Sequence, residues 1–342
     1  MRSEYPVWEG KVVELNHPVI DLHRHLDGNV RLETILDLGK EHDIPLPAWD
    51  MESLRPHVQI VERQPGVMAF IAKFKWMVGV LGDYQACRRV AYENVEDAFR
   101  EGLDYVELRF SPVFMAEPHG LDPSGVVEAV VEGVEEGRKK FDLSVHLIGI
   151  ISRTYGPETG WKELESLLTA REALVGLDLA GDEANYPGEL FIDHIQEGRS
   201  AGWKITIHAG EEAGPDSIWQ AVEELGADRI GHGVSAVKDP QLMDYLAEHA
   251  IGVECCLTSN YQTGAVENLR KHPLKEFLTQ GIRATINTDD PGISGITISD
   301  EYQIASSVVG LNDEQIQQVQ RNALEVAFAE EEKKEVWKNH TI

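Results

Sequence analysis

Short apolar runs rich in β-branched residues alternate with longer helix-like segments eight times along the 342-residue chain. Most of these runs are continuously apolar, which is typical of parallel strands covered on both faces. The predicted strands are Val19–His25, Tyr105–Ser111, Ser144–Ser152, Leu174–Leu179, Ile205–His208, Arg229–Gly233, Ile251–Leu257 and Arg283–Asn287. The predicted helices include Leu32–His42, Asp83–Glu101, Pro123–Phe141, Leu190–Ala201, Ser217–Leu225, Pro240–His249 and Asn268–Gln280. This pattern predicts an α/β fold, a (β/α)₈ TIM barrel, with a doubly wound open sheet as the alternative.

We expect one domain, residues 1–342, because no linker or fixed-period repeat divides the chain. Two segments are predicted additions to the barrel. The first is an insertion at residues 45–82, in which Phe70 and Phe74 stand four residues apart, so a helix would place them on one face. That face either packs on the core or forms a lid over an apolar ligand. The second addition is C-terminal, where Asn312 is a predicted cap for charged helices.

The formal net charge of −28 argues against nucleic-acid or anionic-membrane partners, since both would be repelled. The three cysteines, Cys87, Cys255 and Cys256, make no disulfide framework and indicate a reducing compartment. The N-terminus lacks the basic start and apolar stretch of a secretory signal, and no apolar run reaches transmembrane length. We therefore expect a cytoplasmic protein, and its oligomeric state stays open.

Two histidines lie at the end of the first predicted strand. His23 and His25 are two residues apart, and residues at that spacing point to the same face of a strand. Both imidazoles can therefore reach one metal ion. Taken alone, such a pair is more often chance or packing.

A histidine and a glutamate follow the fifth predicted strand. His208 ends that strand, and Gly210 would let the backbone turn sharply so that Glu211 returns over the same pocket. The alternative is that His208 only hydrogen-bonds to a neighbour and that the Glu211 side chain is solvated.

Two more strand ends carry chemically active residues. Asp289 and Asp290 follow the eighth strand, where one carboxylate can bind a metal while the other meets a ligand, although Asp-Asp-Pro is also a common turn. His232 stands between Gly231 and Gly233, which permit close approach of backbone or ligand. Its alternative is a structural histidine.

The functional interpretation of these four sites is stronger when they are taken together, because the ends of adjacent parallel strands meet at one rim of a closed barrel. That convergence also favours the barrel over the open sheet. Three histidines and one aspartate suit zinc or a similar divalent ion with a position left for water. Such an ion lowers the pKa of its water to about 7. Glu211 is then the candidate proton donor, and His232 the candidate to orient the water.

Seven stretches in one order, over about residues 19–330, resemble adenosine deaminases of the bacterial type, within the metal-dependent amidohydrolases. They are His23-Arg24-His25-Leu26-Asp27-Gly28, Tyr105-Val106-Glu107-Leu108-Arg109-Phe110-Ser111-Pro112, Asp178-Leu179-Ala180-Gly181-Asp182-Glu183, His208-Ala209-Gly210-Glu211, Gly231-His232-Gly233, Ser259-Asn260 and Asn287-Thr288-Asp289-Asp290-Pro291. The resemblance implies a (β/α)₈ barrel with one zinc ion. It further implies conversion of adenosine or 2′-deoxyadenosine to the inosine product and ammonia, a reaction of purine salvage.

By this resemblance, four residues would bind the zinc ion: His23, His25, His208 and Asp289. Glu211 would protonate N1 of the purine and make C6 electrophilic. His232 and Asp289 would orient and deprotonate the attacking water.

The resemblance also assigns substrate contacts. Asp290 would hold N7 through a hydrogen bond that needs a proton on one partner, and the Gly181 amide would bind N3. Asp27 would hold a ribose hydroxyl, and His25 would also face the substrate. The family's apolar gate corresponds to Phe70, Ile71 and Phe74.

Three other functions remain in competition. One is deamination of adenine, an adenosine phosphate or an N6-substituted purine; Asp27 argues against a nucleotide, since its charge would repel a 5′-phosphate. The second is a binuclear hydrolase, which would need a metal-bridging Lys where the chain has Ala180-Gly181-Asp182-Glu183. The third is a non-catalytic nucleoside-binding relative, which would be expected to lack Glu211 or a metal ligand. Arg24, between the first two ligands, is expected to face away from the metal.

Overall fold

The computed structural model describes residues 17–61, 63, 70–329 and 334. Eight parallel strands follow one another in chain order around a single sheet. Their bounds are β1 Ile20–His25, β2 Tyr105–Phe110, β3 Ser144–Ser152, β4 Leu174–Ala180, β5 Lys204–Ala209, β6 Arg229–His232, β7 Gly252–Cys255 and β8 Arg283–Ile286. Each predicted strand is present, with ends that differ by at most two residues.

The sheet curls round so that its first strand meets the chain just beyond its last. The bridge joins Arg24 to Asp289 in parallel register. His25 N–H donates to the Asp289 carbonyl at 2.7 Å, and Asp289 N–H donates to the His23 carbonyl at 2.8 Å. The (β/α)₈ prediction is confirmed and the open-sheet alternative is wrong.

Helices cover the outside of the barrel and bury the apolar outer face of its strands. The α-helices of the described residues are Leu32–Glu41, Met51–Val58, Lys75–Val78, Tyr84–Arg100, Pro112–Ala116, Pro123–Lys140, Gly156–Leu168, Ile192–Ser200, Pro215–Glu223, Pro240–Glu248, Leu257–Thr263, Leu274–Gln280, Pro291–Ser294, Ile298–Ile304 and Asp313–Val326. One predicted helix, Asn268–Gln280, is wrong as a continuous element. A 3₁₀ turn at Leu269–Lys271 precedes Pro273, which caps the shorter helix that follows.

The inner face of the barrel is unusually polar. Arg109 on β2 binds Asp178 on β4 at 2.7 Å and Glu254 on β7 at 2.9 Å, so the side chains meet across strands that are not neighbours. Arg229 joins the same network through Glu254, at 2.6 Å, and through Glu107. All five side chains are essentially inaccessible to water. Buried charges must be paired to be tolerated, and these pairs form the floor beneath the barrel mouth.

The segments outside the eight-fold repeat are seen in part. Within residues 45–82 the structure has a helix at Met51–Val58, a 3₁₀ turn at Ala72–Phe74 and a short helix at Lys75–Val78, while residues 62 and 64–69 lie outside the described residues. Asn312 caps Asp313–Val326 in a capping box, as predicted. No helix among the described residues is long and apolar enough to cross a membrane.

Candidate active site

A cavity opens at the carboxyl-terminal mouth of the barrel, where the predicted site residues converge. Its walls include the following predicted residues: His25, Asp27, Phe70, Ile71, Phe74, Gly181, His208, Glu211, His232, Asp289 and Asp290. His23 lies deeper, with no exposed surface. Arg24 points to the other side, as expected, and binds Glu101 at 2.6 Å.

Three histidines each turn one ring nitrogen toward a carboxylate and the other toward a common centre. His23 Nδ1 donates to Glu254 at 2.7 Å, and His208 Nδ1 donates to Asp178 at 3.1 Å. His25 Nδ1 lies 3.6 Å from Asp27 Oδ1. A carboxylate behind the ring fixes its orientation and leaves the Nε2 lone pair free, as is usual for metal-bound histidine.

The free nitrogens and Asp289 form a compact set of donors. Ligand atoms of His23, His25, His208 and Asp289 all lie within 4.8 Å of one another, and all four residues are buried. Asp289 Oδ1 is 3.2 Å from His23 Nε2 and 3.3 Å from His25 Nε2. Within the described part of the chain, His23 Nε2 has no hydrogen-bond partner. Three nitrogens and one oxygen, with one buried nitrogen unsatisfied, fit a divalent cation such as zinc.

Two residues at the mouth other than glycine have backbones in the left-handed region. His232 has φ of 63° and Asp289 has φ of 62°, both uncommon for residues other than glycine. At Asp289 the surrounding hydrogen bonds of the barrel closure hold this conformation. Such strained positions concentrate at functional sites.

Glu211 follows β5 and reaches back over the cavity. Thr263 donates a hydrogen bond to it at 3.1 Å, and His232 Nε2 lies 3.5 Å from its other oxygen. Burial is the main cause that raises the pKa of Glu211 above its ordinary value. A protonated carboxyl at this place can donate to a ligand.

A second glutamate, which the sequence analysis did not single out, anchors the turn that carries Glu211. The Glu183 carboxylate accepts four consecutive backbone N–H groups, from Gly210 at 2.6 Å to residue 213 at 3.2 Å, and the Ser217 hydroxyl at 2.5 Å. No spacing rule links residue 183 to residue 210, so only the assembled fold reveals this contact.

Asp290 lies beside Asp289 with a different electrostatic character. Burial, followed by the charge of Asp289, raises the pKa of Asp290 well above its ordinary range. Its Oδ1 makes no hydrogen bond to the described residues. Gly28 is required here, since a Cβ at that position would lie 1.6 Å from the same oxygen. A protonated Asp290, which lines the cavity, therefore has a polar atom that makes no hydrogen bond to the described residues.

The far end of the cavity combines a carboxylate with an aromatic wall. Asp27 accepts the Ser111 N–H at 3.0 Å, and its other oxygen, 3.6 Å from His25 Nδ1, makes no hydrogen bond to the described residues. The Phe70 and Phe74 rings are 6.3 Å apart, and Phe74 meets Phe114 edge-on at 5.4 Å. Both predicted aromatic residues thus face the cavity and are buried.

The chain is similar to known proteins over nearly its whole length. The adenosine deaminase family model matches residues 18–340. The adenosine deaminase of Klebsiella pneumoniae is 57% identical over 323 residues, which cover 94% of this chain and 97% of that protein. The adenine deaminase of Arthrobacter aurescens superimposes with a TM-score of 0.88 at 25% identity, covering 94% of this chain and 97% of that one. A zinc-bound amidohydrolase from Burkholderia ambifaria shares the fold, with a TM-score of 0.86 at 24% identity over 95% of this chain and 89% of that one.

Proposed function

The chain belongs to the adenosine deaminase family, and we propose that it hydrolyses adenosine and 2′-deoxyadenosine to inosine and 2′-deoxyinosine with release of ammonia. One observation carries the proposal beyond family membership. A buried set of metal-type donors, a carboxyl with a raised pKa and a histidine face one another in a single cavity. That combination suits attack of water on an electron-poor aromatic carbon.

We propose that His23, His25, His208 and Asp289 hold one zinc ion per chain. Bound there, a zinc ion supplies Lewis acidity that makes a nearby water a better nucleophile at neutral pH. The carboxylates behind the histidines, Glu254 and Asp178, keep the donor nitrogens aimed at this place.

The remaining chemistry is assigned to protein side chains. Glu211 donates its proton to N1 as the water oxygen bonds to C6, so the electron pair of the C6–N1 double bond moves to N1. His232 and Asp289 orient the water and take up its proton, which then passes to the C6 amino group so that the C6–N6 bond breaks and ammonia leaves. Asp290, protonated, donates to N7, and the Gly181 amide contacts N3.

We propose a nucleoside rather than a nucleotide as substrate. Asp27 would bind a ribose hydroxyl through Oδ1, which makes no hydrogen bond to the described residues. Lys and Arg are absent from the described residues that line the cavity, so neither side chain that usually pairs with a phosphate is available there. Phe70, Ile71 and Phe74 would cover the purine from one side, and His25 would contribute to the opposite wall.

We further propose a cytoplasmic enzyme of purine salvage. Three cysteines that are free and buried support a reducing compartment, and the net charge of −28 supports a small-molecule substrate rather than a nucleic acid.

The deciding experiment follows ultraviolet absorbance of zinc-loaded protein with adenosine, adenine and AMP in parallel. Conversion of adenosine alone, stopped by a chelator and restored by zinc, is the expected outcome. Faster turnover of adenine or AMP would overturn the substrate assignment. Inactivity toward all three would overturn the proposed reaction.

A further inference from the structure

Behind His232 runs a short chain of buried hydrogen bonds that ends on a backbone amide. Asn260 Nδ2 lies 3.0 Å from His232 Nδ1, and Asn260 Oδ1 lies 3.1 Å from His272 Nε2. His272 Nδ1 lies 3.1 Å from the Leu274 N–H. The three side chains are 0–4% exposed, so water has little access to these atoms.

The direction of this chain follows from its last member. A backbone N–H can only donate, so His272 Nδ1 must accept the hydrogen of Leu274. Burial lowers the pKa of His272 to about 3 and keeps its ring neutral. A neutral imidazole that accepts at Nδ1 carries its hydrogen on Nε2.

The two remaining hydrogen bonds are then determined. His272 Nε2–H donates to Asn260 Oδ1, which turns the Asn260 amide nitrogen toward His232. The amide donates to His232 Nδ1, because a hydrogen on that ring nitrogen would point at the hydrogen of the amide. The hydrogen of His232 is thereby placed on Nε2, the nitrogen that faces Glu211 across 3.5 Å of the cavity.

We propose that His272 and Asn260 are positioning residues that fix His232 as an Nε2–H donor, so that His232 orients the attacking water and Asp289 takes the water's proton. This assignment rests on the proposed deaminase function. It assigns the orientation of the water to His232 and the uptake of its proton to Asp289, two roles that these residues would otherwise share. An Nε2 that already carries hydrogen has no lone pair with which to accept the proton released as the water oxygen bonds to C6.

The proton positions are open to direct test by nitrogen NMR of zinc-loaded protein carrying ¹⁵N-labelled histidine. We expect a pyridine-type Nδ1 and a protonated Nε2 for His232, identified by the resonance lost in His232→Gln. His23, His25 and His208 provide an internal contrast, because their Nδ1 atoms face carboxylates and should carry hydrogen. A hydrogen on His232 Nδ1 would overturn the proposal. The measurement requires no turnover, so it stands apart from the test of the reaction itself.

A matched pair of variants tests whether the chain matters for catalysis. His272→Gln keeps an N–H donor near the position of Nε2, whereas His272→Phe keeps a flat ring without one. We expect His272→Phe to lower kcat by about 10- to 100-fold with KM changed less than about threefold, and His272→Gln to recover most of the loss. Equal kcat values for the two variants, at equal zinc content and melting temperature, would overturn the proposal.

Asn260→Asp provides a second test of the proposal in case the variants at residue 272 fail to fold. A carboxylate accepts hydrogen bonds on both sides, so it should move the His232 hydrogen to Nδ1 and lower kcat, with the move visible in the same spectrum. A moved hydrogen with unchanged kcat would show that the tautomer has no catalytic role. An unmoved hydrogen would show that residue 260 does not set it.

Discussion

Two glutamates near the mouth of the barrel have different roles because their surroundings differ. Among the described residues, the Glu211 carboxyl accepts one hydrogen bond, from Thr263, and burial raises its pKa. Glu183, by contrast, accepts four backbone N–H groups and one hydroxyl, so its side chain is held in place. Surroundings therefore make Glu211 the candidate acid and Glu183 its fixed support.

Glu211→Gln should separate binding from chemistry. The amide keeps the size of the side chain but has no acidic proton for N1, so kcat should fall by about 10²- to 10⁴-fold. Zinc content and nucleoside affinity should stay close to wild type, because Glu211 lies outside the donor set. Steady-state kinetics, metal analysis and inosine binding check this, with exposed Glu212→Gln as the control. Near-normal turnover in Glu211→Gln would remove the proton-donor assignment.

Asp27→Ala should discriminate between sugar-bearing and sugar-free substrates. Removal of a hydrogen bond between a charged carboxylate and a ribose hydroxyl should cost about 1.5–3 kcal/mol, or roughly 10- to 100-fold in kcat/KM for adenosine. Adenine has no ribose and should lose far less. Parallel kinetics with both compounds, on protein of equal zinc content, make the comparison. Equal losses would reject the ribose contact.

At the residue scale, strand geometry predicts the histidine pair and the family resemblance predicts further residues of the cavity, whereas contacts made across the fold are not predicted. His23 and His25 could be paired in advance, because alternate residues of a strand share a face. Glu183 and His272 could not be given their contacts, since these join groups whose residue numbers differ by 27 and by 12. Neither contact follows from any periodicity.

Among the elements, the turn after β5 depends on a residue from the β4 side of the barrel. In the wild type, four backbone N–H groups of the turn donate to the Glu183 carboxylate. Glu183→Gln replaces one of its oxygens by an NH₂ group, which cannot accept these hydrogen bonds, so the turn should loosen and Glu211 should lose its position. We expect kcat to fall by about 10- to 100-fold, with increased amide exchange at residues 210–213. Exposed Glu189→Gln is the matched control. Unchanged exchange and kcat would show that the turn holds its shape without this anchor.

The helix Gly156–Leu168 carries a buried carboxyl that should make stability depend on pH. Burial raises the pKa of Glu163 from an ordinary 4.5 to about 7. The folded state therefore holds this proton more tightly than the unfolded chain, and stability is lost as pH rises from about 4.5 through about 7, by an amount of order 3 kcal/mol.

Glu163→Gln should flatten this part of the stability profile. Chemical denaturation between about pH 5 and pH 8 should show a smaller decline than in wild type, because the amide has no proton to lose. Glu165→Gln, an exposed change on the same helix, should leave the decline as it is. Parallel profiles for wild type and Glu163→Gln would contradict the raised pKa.

Elements were predicted well where a single pattern determines them. The strand β3, Ser144–Ser152, has the predicted bounds because its apolar run ends at clear polar residues. The predicted helix at residues 268–280 instead splits, because His272 turns inward to Asn260 and Pro273 restarts the helix. Helical periodicity gives no sign of such a tertiary contact, whereas Pro273 itself was a visible signal of a new N-terminus.

In the molecule as a whole, the candidate metal site lies at the seam of the barrel, where β1 meets the chain just beyond β8. Strand β1 supplies His23 and His25, and the chain just beyond β8 supplies Asp289 and the backbone bridge. Asn287 reinforces the seam, since it accepts the Leu22 N–H at 2.9 Å. The eight-fold alternation predicted the barrel, but it could not show that the metal-type residues lie on both sides of the closure.

Removal of the metal should therefore destabilise the seam more than strands that supply no donor. An ion present at about 100 times its dissociation constant stabilises the folded state by about 2.7 kcal/mol, which should appear as a lower melting temperature after chelation. Because His23, His25 and Asp289 bridge the closure, hydrogen exchange should rise most in β1 and β8 and least in β3, which supplies no donor to the set. Peptide-resolved exchange with and without zinc measures the distribution, and refilling with zinc should reverse it. A uniform increase in hydrogen exchange around the barrel would mean that the ion stabilises the whole fold and not the closure between β1 and β8 in particular.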